Sequence, residues 1–460
     1  MNKKSKILSI VVAVSMAVPM TSAVIPASAF MPDLSQAAVT EKGSKETKDD
    51  FLFIIDNDGK TASLAYYRGH DDEIVVPAEV DGNKVVSIWG SAFKDCESLK
   101  SIEIPDSVEY IGGWAFSNCK NLTTVKLPET IKNLDEKLFE YCESLKEVKI
   151  PNSVEAIGES AFSECTSLTS VEIPNSVKSI GQYAFDGCKS LKSVEIPSSV
   201  TDIGICAFRK CDGLESVNVD KENEKYTSID GVLYNKDVTE LVACPCGKIS
   251  AEIPDSVTTI GRAAFIECKG LTSIDIPDSV TMIGEHAFDG CLSLTSVVIP
   301  DGVTTIEAFA FCSCPSLKSI EIPSSMKEIR IYGISYCSDL RDVYYTGTKE
   351  EWNKIEIDEF SEPYLEDATI HYNSKMTEEP STPDTPDTPD TPEAKRGDIN
   401  NDNKITAKDS MMIQRYAVNL ISLDDNQLIA ADVNKDGKVT NKDALAILRF
   451  TIGYKVEGLS

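Results

Sequence analysis

Between about residues 50 and 373 the apolar positions of the chain return every 23 residues. Phe93, Phe116, Phe139, Phe162, Phe185 and Phe208 keep that step, and Phe265, Phe288 and Phe311 resume it. Around each runs one pattern, complete in Leu168-x-x-Val171-x-Ile173-Pro174-x-x-Val177-x-x-Ile180-Gly181-x-x-Ala184-Phe185-x-x-Cys188. Val171 and Ile173 alternate with polar neighbours, the period of a short strand with one buried face. Pro174, which has no amide hydrogen to give a ladder, ends the strand and turns the chain. One such coil leaves both its edges exposed, so the pattern predicts a stack of coils closed by end caps.

Counted at the proline position, the repeat reads Pro105, Pro128, Pro151, Pro174, Pro197, Asp220, Pro254, Pro277, Pro300, Pro323 and Thr346. Every step is 23 residues except Asp220 to Pro254, which is 34. One coil therefore carries an insertion, predicted as a hairpin around Asp230-Gly231-Val232-Leu233-Tyr234 and Thr239–Cys244. Ile74-Val75-Val76-Pro77 reads as an earlier irregular coil, and residues 51–69 and 341–373 as caps. Trp89, Asp135, Glu307 and Arg330 replace the glycine that elsewhere follows the second isoleucine, so that position needs no positive φ. The Leu-x-x-Val-x-Ile repeat resembles the BspA-like bacterial leucine-rich repeat. The resemblance implies an α+β repeat solenoid, strand-rich, with 23-residue coils.

A second, different periodicity occupies the end of the chain. Asp398, Asn400, Asp402, Lys404, Thr406 and Asp409 stand at positions 1, 3, 5, 7, 9 and 12 of a loop. Asp432, Asn434, Asp436, Lys438, Thr440 and Asp443 repeat that spacing 34 residues later. Carboxylate, amide, main-chain carbonyl and hydroxyl oxygens at alternate positions suit a hard cation that takes six to eight oxygen ligands. Gly437 fills the sharp-turn position, and Asn403 replaces it in the first loop. A helical pattern follows each loop, with Ile413/Ile447 and Tyr416/Phe450 in register. Pro386, Pro389 and Pro392 forbid a helix before the first loop. A duplicated loop-then-helix behind a proline-rich tether resembles the type I dockerin of cellulosomes. The resemblance implies a small all-α module folded around two calcium ions and bound by the cohesin domain of a scaffoldin. The family's partner-reading positions fall on Ala407, Lys408, Gln414 and Arg415, then Asn441, Lys442, Leu448 and Arg449. A solvated acidic turn or a generic calcium buffer is the alternative reading of these loops.

Composition narrows the partners. The net charge of −29 opposes nucleic acid or an anionic membrane surface. Lys3, Lys4 and Lys6, the apolar run Ile7–Val18 and Ala27-Ser28-Ala29 read as a secretory signal peptide over 1–29. The remaining organisation is an unstructured segment 30–50, the solenoid 51–373, a Thr/Pro/Asp linker 374–396 and the dockerin-like module 397–460. Proline keeps the linker extended, up to ~70 Å at about 3.1 Å per residue. Ten of the fourteen cysteines recur three residues after the Phe position. Each thiol in such a column has an equivalent neighbour on both sides, so they read as reduced, buried packing residues. Cys244 reads as core, whereas Cys312 is expected to be exposed and oxidisable.

No nucleophile motif surrounds His70, His286 or His371, and the carboxylates Glu103, Glu172, Glu195 and Glu321 recur on an outward row like a solvated face. The expectation is a non-enzymatic, secreted cellulosome component whose solenoid binds a protein or glycan. A dockerin-bearing hydrolase and a host-directed adhesin are the alternatives. For ligand contact, the row two residues before Phe is the candidate, because it carries Trp114, Tyr183, His286, Phe309 and Tyr332 and interfaces favour aromatics.

Overall fold

The computed structural model describes residues 44–46, 50–56 and 59–376, together with 399, 405, 410, 412, 413, 430, 431, 433, 439, 444 and 447. The chain divides into two compact units, Met1–Glu379 and Pro380–Ser460. The signal-peptide reading and most of the linker fall outside the described residues.

The first unit is a parallel-stranded solenoid. The Val-x-Ile strands pair between coils in the register of the sequence repeat: Val148 opposite Val171, Val194 opposite Val217, Val297 opposite Ile320. A second ladder joins the two-residue strands before the glycine position, such as Ile157 to Ile180 and Ile180 to Ile203. The repeated apolar residues are buried, apart from partly exposed Cys96, Ile203 and Val219, and the inner phenylalanines stack in two runs. Phe93 through Phe208 lie at centroid spacings from 5.3 to 5.8 Å; Phe265, Phe288 and Phe311 lie at 4.9 and 5.1 Å. Such offset stacking adds to the apolar burial itself.

Each coil turns its third corner by an unusual device. The residue two before the Phe and the residue two after it both have left-handed backbones, for example Tyr183 at φ 56° and Gly187 at 74°. This flips alternate peptides so that three amides of one corner point along the stack. Tyr183, Phe185 and Gly187 donate to the carbonyls of Ile205, Ala207 and Arg209 at 3.3, 2.8 and 2.8 Å. A left-handed L-residue costs about 1–2 kcal/mol; here the corner ladder holds it.

The glycine after the second isoleucine has ordinary φ, as its replacements imply. It answers instead to close approach: a Cβ on Gly158 would lie 2.7 Å from the Leu134 carbonyl oxygen of the preceding coil. The cysteines have a role that size alone does not capture. Eight of the ten column thiols donate to the Phe carbonyl of the preceding coil, for example Cys142 to Phe116 and Cys188 to Phe162, each at 3.2 Å. All fourteen are free.

The insertion forms the expected hairpin, Tyr226–Ile229 against Val232–Asn235 through a turn at Asp230 and Gly231 with φ of 48° and 73°. Glu240–Ala243 then pairs antiparallel to Val232–Asn235 and parallel to the next coil. Asn223 anchors the entry. It is fully buried, donates to the Pro197 and Val200 carbonyls at 2.8 and 2.9 Å, and accepts from the Lys225 and Tyr226 amides.

Three expectations are corrected. Ser44–Glu46 lie within the stretch read as unstructured, yet form a strand antiparallel to Phe51–Ile55, whose open edge offers them a ladder. Cys312 is buried, because Phe311–Cys312 is itself paired to Ile334–Ser335. Glu321 is buried as well, accepting from the Met376 amide at 2.6 Å where the chain leaves the last strand. The C-terminal cap holds a one-turn helix, Lys349–Trp352, with a capping box between Thr348 and Glu351.

In the second unit Ile399, Ile413, Ala430, Ala431, Val433, Ala444 and Ile447 form one buried cluster. Ile405, Met412 and Val439 pack against it. Three pairs in this group, Ile399 with Val433, Ile405 with Val439 and Ile413 with Ile447, are separated by the 34-residue step of the duplicated loops. Ser410 donates to the Ala444 carbonyl at 2.8 Å, joining a fourth such pair.

Candidate ligand-binding face

The aromatic row chosen from the sequence coincides with the first left-handed position of each corner. A left-handed residue at a convex turn carries its side chain clear of the ladder that its own amide enters. The row is therefore free to vary, and its rings are neither core nor fully solvated.

The structure brings together only part of the row. His286 stacks on Phe309 at 4.6 Å and 7°, and Phe309 on Tyr332 at 5.0 Å and 26°. Phe360, from the C-terminal cap, continues the ladder on Tyr332 at 4.6 Å. Tyr336 and Tyr364 flank it, and Phe360 and Tyr336 are exposed. The His286 ring nitrogens face acids, Nδ1 against Asp289 at 3.0 Å and Nε2 against Glu285 at 3.8 Å. The result is a half-buried aromatic ladder with an acidic margin.

Trp114 and Tyr183 stand apart from it. Lys137 lies over the Trp114 ring at 5.8 Å and Arg209 over the Tyr183 ring at 5.1 Å. Arg209 is in turn held on Asp186 by two hydrogen bonds at 2.8 and 3.0 Å, which raise its pKa still further. Those two rings are covered by cations and each forms a separate patch.

Phe360, Tyr336 and Tyr364 were not among the candidates. Phe360 and Tyr364 come from the cap, beyond the periodic pattern. Tyr336 belongs to the second left-handed row, which reads Asp95, Asn118, Tyr141, Glu164, Gly187, Lys210, Glu267, Gly290, Ser313, Tyr336. Its glycines, asparagine and aspartate are the signal that could have found it, since these residues tolerate positive φ. A smaller pair lies on the strand face, where His371 stacks on Tyr344 at 4.8 Å and meets Asp342 at 2.8 Å.

Among the described residues no group of three or more His, Cys, Asp or Glu side chains could hold a metal ion. The twelve loop positions from Asp398 to Asp443 and the eight positions from Ala407 to Arg449 expected to meet a cohesin lie outside the described residues. Their donor set is nonetheless chemically apt. Oxygen atoms from aspartate, asparagine and threonine suit a hard divalent cation such as calcium, and no soft ligand is interposed.

The comparisons agree with both halves of this description. Residues 78–172, 156–242 and 243–374 match the BspA type Leucine rich repeat region, and residues 396–450 match the Dockerin type I domain. The crystal structure of a leucine-rich cell surface protein from Faecalibacterium prausnitzii A2-165 is 31% identical. That match covers 68% of this chain and 98% of that one, with a TM-score of 0.55. The pneumococcal vaccine antigen PcpA shares the fold at 21% identity and TM-score 0.58, over 72% of this chain and 99% of that one. No curated protein matches the chain.

Proposed function

Because the chain belongs to the BspA-type leucine-rich repeat family and carries a type I dockerin domain, we propose that it is a secreted, non-catalytic binding protein of a cellulosome. Dockerin domains bind calcium, and repeats of this family are binding and adhesion modules rather than catalysts. In this reading the two loops, Asp398–Asp409 and Asp432–Asp443, each hold one calcium ion. The all-α module so formed docks into a cohesin of a scaffoldin through Ala407, Lys408, Gln414 and Arg415 or their counterparts Asn441, Lys442, Leu448 and Arg449. The pairing of buried residues at a 34-residue step supports two equivalent halves. A cell-surface or scaffold-bound location outside the cell fits the likeness to the Faecalibacterium cell surface protein.

The solenoid supplies the second binding activity, toward a protein or glycan. The single observation that carries this is the continuous ladder His286–Phe309–Tyr332–Phe360. A half-buried run of rings across three coils and the cap has no use in a core that already holds its own phenylalanine stack. The test is binding of the full chain to plant cell-wall polysaccharides and to extracellular-matrix proteins, compared with the Phe309→Ala/Tyr332→Ala variant. A loss of affinity of about tenfold or more is expected for the variant, since truncated aromatic anchors typically cost over 1 kcal/mol. Unchanged binding to every ligand of the parent chain would remove the ladder from consideration.

A further inference from the structure

The corner ladder that holds the solenoid together is broken at one place. In eight coils the Phe amide donates to the next coil: Phe93 to Ala115, Phe116 to Leu138, and so on through Phe311 to Gly333, at 2.7–3.0 Å. The amide two residues earlier does the same, from Ser91 to Gly113 through Phe309 to Ile331. At the coil of Phe208 both donors are left over: neither the Cys206 nor the Phe208 amide has a hydrogen-bond partner among the described residues. On the opposite side the Arg262 carbonyl, whose counterparts Glu136, Glu159, Gln182 and Glu285 all accept, has none.

The insertion explains the gap. Its shortened corner runs from Glu240–Ala243 to Cys244, whose amide already occupies the place of a Phe amide by donating to Ala264 at 2.7 Å. The hairpin caps the neighbouring strand edge, where the Tyr226 hydroxyl accepts from the Ile203 amide at 3.2 Å. Beyond that cap lies an open cleft of about 500 Å³ lined by Cys206, Phe208, Ala243 and Arg262 among others. It separates the two stacked runs of phenylalanine.

We infer that this cleft is a binding slot for an extended, acidic peptide, which enters as the missing corner of the solenoid. Peptide carbonyls accept from the Cys206 and Phe208 amides, and a peptide amide donates to the Arg262 carbonyl. Phe208 is buried, Cys206 half-buried and Arg262 exposed, so a cleft with main-chain donors on one wall and an acceptor on the other presents an open strand edge to a peptide backbone. Alternate side chains of such a strand point inward, against Ala243 and Ala264, and must be small. The others point to the rim, where Arg209 and Arg262 are held by Asp186 and Glu285, and Lys225 and Glu240 complete the charged lining. Lys225 makes no ion pair among the described residues, in a chain whose net charge is −29. Lys225 is therefore the cation open to a peptide carboxylate.

Amide hydrogen exchange of the full chain, with and without an acetylated, amidated peptide alternating alanine and aspartate, tests this. In the free chain the Cys206 and Phe208 amides are expected to exchange at least about a hundredfold faster than their ladder-bound counterparts Tyr183 and Phe185. Saturating peptide should slow those two amides about tenfold or more, with no such effect of inorganic phosphate or acetate. Ala243→Trp, which fills the slot without touching a donor, should abolish the protection while leaving the melting temperature unchanged. Slow exchange of Cys206 and Phe208 in the free chain would overturn the proposal. Equal protection by phosphate, or peptide protection that survives Ala243→Trp, would do so too.

Discussion

The repeated apolar residues are read correctly as core, whereas the burial of Cys312 and Glu321 and the left-handed backbone of each corner are missed. Trp114, Lys137, Ser160, Tyr183 and His286 share no chemistry, and what unites them is a left-handed φ between 53° and 59°. Ser160 gives the cleanest test, being buried with a small side chain that makes no hydrogen bond of its own. Ser160→Gly should stabilise the solenoid by about 1 kcal/mol, because only the left-handed strain is removed. Thermal unfolding measures it, and a lower melting temperature would show that the position is not strained. The cysteine column makes a second residue-scale prediction. Burial pushes the Cys119 thiol from 9.0 up to about 12 and also raises Cys142 and Cys165. A folded pKa above the unfolded one means that the folded chain keeps protons the unfolded chain releases. The thiol contribution is therefore complete below about pH 9 and is lost as pH rises toward 12. The denaturation midpoint should fall between pH 8 and about pH 10.5; a flat profile would contradict the buried, protonated column.

Elements were legible wherever the 23-residue period ran unbroken. The Val-x-Ile strands, their coil-to-coil register and the hairpin in the 34-residue step could all be read, because period-two alternation and an Asp-Gly turn are local signals. The corner ladder could not: it depends on two backbone flips per coil that leave no apolar trace. Asn223 escaped for a related reason. In Lys221-Glu222-Asn223-Glu224-Lys225 it looks like one polar loop residue among charged ones, yet it is the only fully buried amide side chain among the described residues. It makes two hydrogen bonds to the preceding coil and two to the amides that open the hairpin. Asn223→Ala should cost about 3 kcal/mol by leaving the Val200 carbonyl and the Lys225 and Tyr226 amides without this partner. Chemical denaturation reads this directly, and a loss under about 1 kcal/mol would mean that water replaces the side chain.

At the scale of the whole molecule the sequence divides the labour before any coordinates are consulted. One unit repeats apolar residues and buries them as a stack; the other repeats oxygen donors and is expected to need an ion. The candidate face was partly legible: His286, Phe309 and Tyr332 meet as a ladder, whereas Phe360 joins from a cap that no period announces. Trp114 and Tyr183 sit on the same row but under cations, a difference set by Lys137 and Arg209 one coil on. The account as a whole turns on whether divalent ions assemble the C-terminal docking surface. The direct measurement is calorimetric titration of the full chain with a panel of type I cohesins, first in calcium, then in EGTA, then with calcium restored. Tight binding to at least one cohesin, lost on chelation and recovered with calcium, is the predicted result. Binding that persists in EGTA, or none with any cohesin in calcium, would contradict it.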